Sequence, residues 1–464
     1  MRQEHGLGDF DRFPVAPLLA LGAPDVARQC REIVPRARDY VARHLRGRVE
    51  RWDDEARHDH SFVAWSAIDA APKYGFLSLY LPGLFGGGNY GPVAASLFAE
   101  EIASVDAGIS VVFGAHGLAL ALILASLEMP IIARLGRAIT DAERQGKAML
   151  LSLAHTEPAA GSDVEDETDL RRARVVSRFA RVAGGYRLDA RKVFISNGSV
   201  ARWHVVTAYG DPARPTETMA AFLVPADARG CEVGRIERKL GQRLSPATEI
   251  LCDDVFVPEE DAILMPNPGR CIDTTLSVTR GPVGALSAGI IRGVLERTLA
   301  YLDRRAELAR EQWVTMALAD ILAALQTSRA VYMESALAAE AWGIARSTNG
   351  VPRHVQRAIG RTRWVDRIVG SPFFSVQTRS RYERDVDVER LQQLVAHASI
   401  AKVVCSDLAV RSAAQAMEIL GDDANDPRWG VEKCLRDAKL AQIFEGTNQI
   451  NRLHIARGLL KEAH

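Results

Sequence analysis

One short run near the end of the chain carries a carboxylate placed for chemistry: Phe444-Glu445-Gly446-Thr447. A glutamate withdrawn from water holds its proton more tightly and becomes a competent base near neutral pH. The same glutamate also suits the entry to a helix capped by Thr447, where an acid complements the helix dipole. The four residues alone leave both roles open. Two further runs collect hydroxyls, an aromatic ring and turn-forming glycines. They are Ala154-His155-Thr156-Glu157-Pro158-Ala159-Ala160-Gly161-Ser162-Asp163 and Lys192-Val193-Phe194-Ile195-Ser196-Asn197-Gly198. Hydroxyls in such loops serve either the local backbone or a bound molecule. His116 and His155 have no partner at ligand spacing and read as structural histidines. Cys30, Cys231, Cys252, Cys271, Cys405 and Cys434 show neither CxxC nor zinc spacing, so no metal site is expected. The glycine-rich loop Gly83-Leu84-Phe85-Gly86-Gly87-Gly88 lacks the Lys-Ser/Thr of a phosphate-binding loop.

These residues need a scaffold, and 464 residues suggest about three domains. An apolar content of 47 % with 25 % charged residues excludes disorder as the main state. Basic and acidic residues number 58 each, so no global field recruits nucleic acid or an anionic membrane. Scattered thiols point to reduced cysteines and a cytoplasmic protein. Met1 to Gly6 has no apolar core like that of a signal peptide. Ala107 to Leu127 carries no formal charge and is long enough to cross a bilayer. Its Gly108, Ser110, Gly114, His116 and Gly117 instead suit a helix buried in a soluble protein, so no membrane span is expected.

The texture is helical over residues 1–149, with periodicity in Val26 to Arg46 and Pro92 to Val105. Short β-type runs follow within 150–262: Val175 to Ser177, Gly184 to Leu188, Lys192 to Ser196, Trp203 to Thr207 and Ala220 to Pro225. They predict an antiparallel barrel or sandwich. Helical texture returns over 263–464, where Leu318, Ile321, Leu322 and Leu325 share one face. Further helices are expected over Val395 to Leu420 and Thr447 to Leu460. An arginine-rich piece interrupts them near 350–391: Arg353, Arg357, Arg361, Arg363, Arg367, Arg379, Arg381, Arg384 and Arg390. It reads either as a solvated insertion or as a docking surface for an anionic partner, such as a phosphopantetheine-bearing carrier protein or a nucleotide.

This α–β–α order, with these junctions, resembles the acyl-CoA dehydrogenase family. The resemblance rests on the Ala154–Asp163 loop and on Tyr186-Arg187-Leu188-Asp189-Ala190-Arg191 running into Lys192–Gly198. It extends to Lys239-Leu240-Gly241-Gln242-Arg243 followed by Asp254-Val255-Phe256-Val257-Pro258. It ends with Glu432-Lys433-Cys434-Leu435-Arg436-Asp437-Ala438-Lys439 ahead of Ile443-Phe444-Glu445-Gly446-Thr447-Asn448-Gln449-Ile450. It implies an α+β fold in which a helical N-terminal domain, a central antiparallel β domain and a helical-bundle C-terminal domain enclose FAD.

By that resemblance, Leu153, His155 and Thr156 line the pyrimidine side of the flavin, chiefly through their backbone. Ser162 touches the pyrophosphate and the substrate. Phe194 and Ile195 wall the ring and Ser196 faces its reactive nitrogen. Thr447 and Gln449 are also expected at the cofactor. Glu445 removes the α-proton of an acyl thioester, its N–H polarises the thioester carbonyl, and Gly446 permits close approach to the substrate. Some relatives carry the base just before an arginine segment that here reads Thr279-Arg280-Gly281-Pro282-Val283. Thr279 is no base, which favours Glu445. Arg280 either steadies Glu445 or the flavin, or simply packs between helices.

The implied partners are an acyl-CoA or acyl-carrier-protein substrate, an electron-transferring flavoprotein and a second copy of the chain, as a homodimer or homotetramer. Two family elements that reach a neighbour's cofactor are altered. One reads Arg304-Arg305-Ala306-Glu307-Leu308-Ala309-Arg310, the other Glu418-Ile419-Leu420-Gly421-Asp422-Asp423. Arg304, Arg305 or Arg310 are the candidates to compensate. Two other readings stay open: a cofactor-free acyl-binding or partner subunit, or non-redox enzyme, on this scaffold, and a flavin monooxygenase of the same fold. The Phe444-Glu445-Gly446 run disfavours the monooxygenase.

Overall fold

The computed structural model describes residues 7–165, 167–265, 267–343, 356, 360 and 364–460. The N-terminal part holds α1 (Ala16–Gly22), α2 (Pro24–Tyr40), α3 (Val49–His58), α4 (Pro92–Ala103), α5 (Ala107–Ser126) and α6 (Met129–Arg144). Proline stands in the first two positions of α1, α2, α4 and α6, where its missing N–H leaves no bond unmade. Asp106 caps α5 by accepting from the N–H of Ile109 at 2.7 Å. The long uncharged run is therefore a helix with a defined start. Most of its length is buried against β1 (Leu151–Ala154) and the long helix of the C-terminal part.

The strands are β1, β2 (Arg178–Val182), β3 (Gly185–Ser196), β4 (Trp203–Tyr209), β5 (Met219–Pro225), β6 (Cys231–Ile236), β7 (Ala247–Pro258) and β8 (Ala262–Leu264). They form one sheet in the order β6-β7-β3-β2-β4-β5-β8, with β1 beside β4. Most neighbours run antiparallel, but β4 pairs in parallel with both β1 and β2, so the sheet is mixed. The runs Gly184 to Leu188 and Lys192 to Ser196 are two halves of one strand, β3, which pairs with β7 throughout. Val175 to Ser177 lies before β2 rather than in a strand.

Helices resume with α7 (Pro268–Leu302), α8 (Gln312–Trp342), α9 (Trp364–Val369), α10 (Pro372–Asp385), α11 (Val388–Leu420), α12 (Val431–Ala441) and α13 (Asn448–Leu460). α7 crosses α4 at close range because Gly289 carries no side chain there: a Cβ on it would lie 2.5 Å from the carbonyl oxygen of Glu100. Buried charges tie the same crossing. Arg292 of α7 meets Glu101 at 2.9 Å, and Tyr332 of α8 donates to Glu100 at 2.6 Å.

Of the arginine-rich piece, Arg353, Arg357, Arg361 and Arg363 lie outside the described residues. Its described part is not a purely solvated face. Ser375 of α10 accepts from the N–H of Met129, Arg379 pairs with Glu128 at 2.6 Å, and Tyr382 shares a hydrogen bond with Thr274 of α7 at 2.7 Å. α10 thus bridges the end of α5, the start of α6 and the first turns of α7.

Candidate active site

The β domain presents its aromatic ring through a local defect. Between Lys192 and Ile195 the β3–β7 register shifts, a bulge that re-aims one side chain. Phe194 sits in that bulge with φ +59° and is 62 % exposed, unusual for a large apolar side chain. The bulge is anchored from beneath. Lys192 Nζ and Glu157 Oε1 meet at 2.8 Å with both side chains fully buried. Lys192 also donates to the carbonyl of His155, and the N–H of Val193 donates to the carbonyl of Thr156. Burial alone pushes the Glu157 carboxyl up, but the Lys192 charge and the N–H groups of Val176 and Ser177 overcome it and hold it below the usual range.

The C-terminal part supplies the carboxylate. Glu445 occupies a left-handed backbone position, φ +56°, in the turn between α12 and α13. That conformation is costly for a non-glycine residue and persists only under constraint. The constraints are visible. Arg280 Nε and Asn451 Nδ2 donate to the carbonyl of Glu445 at 3.2 and 3.3 Å. Lys402 Nζ donates to the carbonyl of Gly446 at 2.7 Å and to Asn448 at 2.7 Å. The Glu445 carboxylate itself accepts from the Thr279 hydroxyl at 2.9 Å. Its backbone N–H has no partner among the described residues.

Burial, and next the nearby Glu165 carboxylate, push the Glu445 carboxyl up to about 7; Arg280, Thr279 and Lys402 oppose the rise but do not cancel it. Burial likewise brings the Lys402 ammonium down to about 7.

Both assemblies open on one cleft of about 1870 Å³. Of the residues expected at the site, Leu153, His155, Thr156, Ser162, Phe194, Ile195, Ser196, Glu445 and Thr447 line it. Ser162 Oγ accepts from the N–H of Thr447 at 3.1 Å and joins the β domain to the C-terminal part. Thr447 also reaches the N–H of Ile450, so it caps α13 while lining the cleft. The imidazole of His155 is held by Thr207 and the carbonyl of Val164, and that of His116 by Leu77 and Leu151. Burial brings both down to about 4, neutral and structural.

Three of the expected residues lie off the cleft lining. Arg280 is fully buried and does not line the cleft; its guanidinium reaches Glu165, Ser399, His454 and the carbonyl of Glu445. Gly446 is buried too, and the space its missing Cβ leaves is taken by Glu165, 2.6 Å from that position, rather than by the cleft. Gln449 is exposed and off the cleft, because its neighbours Asn448 and Ile450 turn inward on α13. Two of the three arginines expected to compensate are engaged within the chain: Arg305 pairs with Asp423 at 2.9 Å and Arg304 lies over the Trp429 ring.

Glu165, Lys402 and the Glu157–Lys192 pair were not singled out from the sequence. An acid in a loop and a lysine in a helix read as solvated groups, and only Thr279 carried a signal, by its place before Arg280.

A three-domain enclosure around one cleft, with an aromatic bulge and a clamped glutamate, defines a class that whole-chain comparisons identify. Family models for the N-terminal, middle and C-terminal domains of acyl-CoA dehydrogenases match residues 28–127, 152–255, and 269–349 with 382–460. The chain belongs to the acyl-CoA dehydrogenase family, a family of oxidoreductases whose cofactor is FAD. The break in the C-terminal match falls on the arginine-rich piece.

The cyclohex-1-ene-1-carbonyl-CoA dehydrogenase of Geobacter metallireducens is 28 % identical over 428 residues, 91 % of this chain and 96 % of that protein. The butyryl-CoA dehydrogenase of Megasphaera elsdenii has a similar fold, with a TM-score of 0.72 at 23 % identity, covering 93 % and 98 % of the two chains. The prolyl acyl carrier protein oxidase AnaB gives 0.69 at 19 % identity, covering 93 % and 98 %.

Proposed function

We propose that this protein is an FAD-dependent dehydrogenase that introduces a double bond between the α and β carbons of an acyl-CoA thioester. The observation that carries the reading is the Glu445 carboxylate. It lies on the cleft, accepts from one hydroxyl, pairs with no cation among the described residues, and is raised to about 7. Such a group takes a proton from a weakly acidic carbon near neutral pH.

The chain fits the cofactor. An exposed aromatic ring at Phe194, hydroxyls at Thr156 and Ser196, and the backbone of residues 153–156 offer the wall and donors that a flavin ring requires. When bound, FAD would supply the acceptor for the hydride, one hydrogen with two electrons, that leaves the β-carbon. Glu445 removes the α-proton, and its unpartnered N–H is a donor suited to the thioester carbonyl, whose oxygen gains negative charge as that proton departs. The α5 wall (Gly114, Ala115, Leu118, Ala121 and Leu122) is apolar and small-featured, suited to an acyl chain. A CoA thioester is favoured over a carrier-bound one by the higher identity to the CoA-dependent Geobacter relative, 28 %, than to the carrier-protein oxidase, 19 %. We also propose transfer of the electrons to a separate electron-transferring flavoprotein, and assembly as a homo-oligomer.

The test is single-turnover bleaching of the FAD-loaded protein by a panel of acyl-CoA thioesters. Glu445→Gln is expected to retain FAD and to slow bleaching by on the order of 10⁴-fold. Bleaching at the wild-type rate in that variant overturns the base assignment. A colourless protein that FAD does not stabilise supports the cofactor-free scaffold instead.

A further inference from the structure

Among the described residues, two cations, Arg280 and Lys402, act on Glu445, yet neither pairs with its carboxylate. Arg280 directs Nη2 to Glu165 Oε2 at 2.9 Å, Nη1 to Ser399 and His454 at 3.2 and 2.8 Å, and Nε to the Glu445 carbonyl at 3.2 Å. Lys402 is held by the carbonyl of Gly446 and the side chain of Asn448. The carboxylate that faces the guanidinium is therefore Glu165, from the loop after β1. It is 17 % exposed, lines the cleft, and occupies the space left open by Gly446.

Were Glu165 absent, Nη2 would be freed beside the 445–446 turn. A direct guanidinium–carboxylate contact would then hold Glu445 ionised and make it a weak base.

We propose that Glu165 is a positioning residue for Glu445: by pairing with Arg280 it withholds that cation from the Glu445 carboxylate and places a second negative charge beside it. The proposal rests on Glu445 acting as the base. The other groups that face Glu445 are Thr279 and Arg280 from α7 and Lys402 from α11. Asp407 of α11 acts on Lys402, and His454 of α13 meets Arg280. Among the described residues none of these supplies a carboxylate to Arg280, so the effect is assigned to Glu165.

The test compares Glu165→Gln and Glu165→Asp with wild type and Glu445→Gln. The readouts are the pH profile of flavin bleaching by a reactive acyl-CoA, and infrared titration of the full chain. The carboxylic-acid carbonyl band lost in Glu445→Gln reports the Glu445 proton without substrate or flavin. In Glu165→Gln the acid limb and the band are expected to move to lower pH by about one unit. KM should stay within about twofold and FAD content should be unchanged, because Glu165 acts through charge rather than shape. Glu165→Asp keeps the charge and is expected to titrate close to wild type. An unmoved or raised limb and band in Glu165→Gln, with Glu445→Gln inactive, overturns this proposal alone. Normal bleaching by Glu445→Gln overturns both it and the base reading.

Discussion

Glu157, buried, and Glu445, half-buried, stand at the walls of one cleft and yet reach opposite states. Glu157 has a cation of its own: Lys192 lies at 2.8 Å, with backbone N–H groups completing the shell, and its proton affinity is lowered. Glu445 has cations nearby that are engaged elsewhere, and its carboxyl is raised to about 7. The difference is the availability of an unshared positive charge. A dedicated pair makes a structural strut, here one that anchors the strand carrying Phe194. A shared cation leaves a carboxylate able to exchange protons near neutral pH, which is what a base requires.

The comparison breaks most visibly through the strut. Lys192→Met leaves Glu157 buried without its ammonium and is expected to cost about 3–5 kcal/mol, read by urea and thermal melts. Replacing both partners with Met and Leu should recover most of that, since an apolar pair needs no charge balance. A single-variant loss under about 1 kcal/mol would show that the pair is not a strut.

Arg280→Met probes the other wall. With that cation gone, only Lys402 offsets the repulsion between Glu165 and Glu445, and the acid limb of the bleaching profile should rise by about one unit above 7. The sign follows from the chemistry. Glu445 works ionised, the rate climbs as pH rises through its pKa, and a higher pKa moves the climb to higher pH. A limb that falls instead would mean that Arg280 does not stabilise the ionised form.

The smallest effect sharpens the purpose of the strut. Phe194 is exposed, so Phe194→Ala should leave the melts unchanged while weakening FAD about fivefold, near 1 kcal/mol, by fluorescence titration. Unchanged FAD affinity would separate the bulge from the cofactor.

Much of the site was legible because its residues lie in contiguous runs. The 154–163 loop, the 192–198 segment and the 444–447 turn bring loop-forming and polar residues together in short stretches, and most of the residues named from them line the cleft. Strand β7 was not read as a strand, because Thr248, Glu249, Asp253 and Asp254 dilute the apolar alternation by which strands are recognised. The β3 runs looked like two strands because a bulge interrupts their periodicity without ending the pairing. Glu165 and Lys402 were invisible, since nothing local marks an acid in a loop or a lysine on a helix as buried.

Residue types alone determined that this chain has a helical–β–helical order, a carboxylate before a glycine at 445, and hydroxyls and a ring in two separated loops. Only the folded chain decided which cation serves which carboxylate. That assignment depends on distances of a few ångströms between residues more than a hundred positions apart, such as Glu165 and Arg280. Electrostatic pairing falls off over just such distances, and a linear pattern does not contain them.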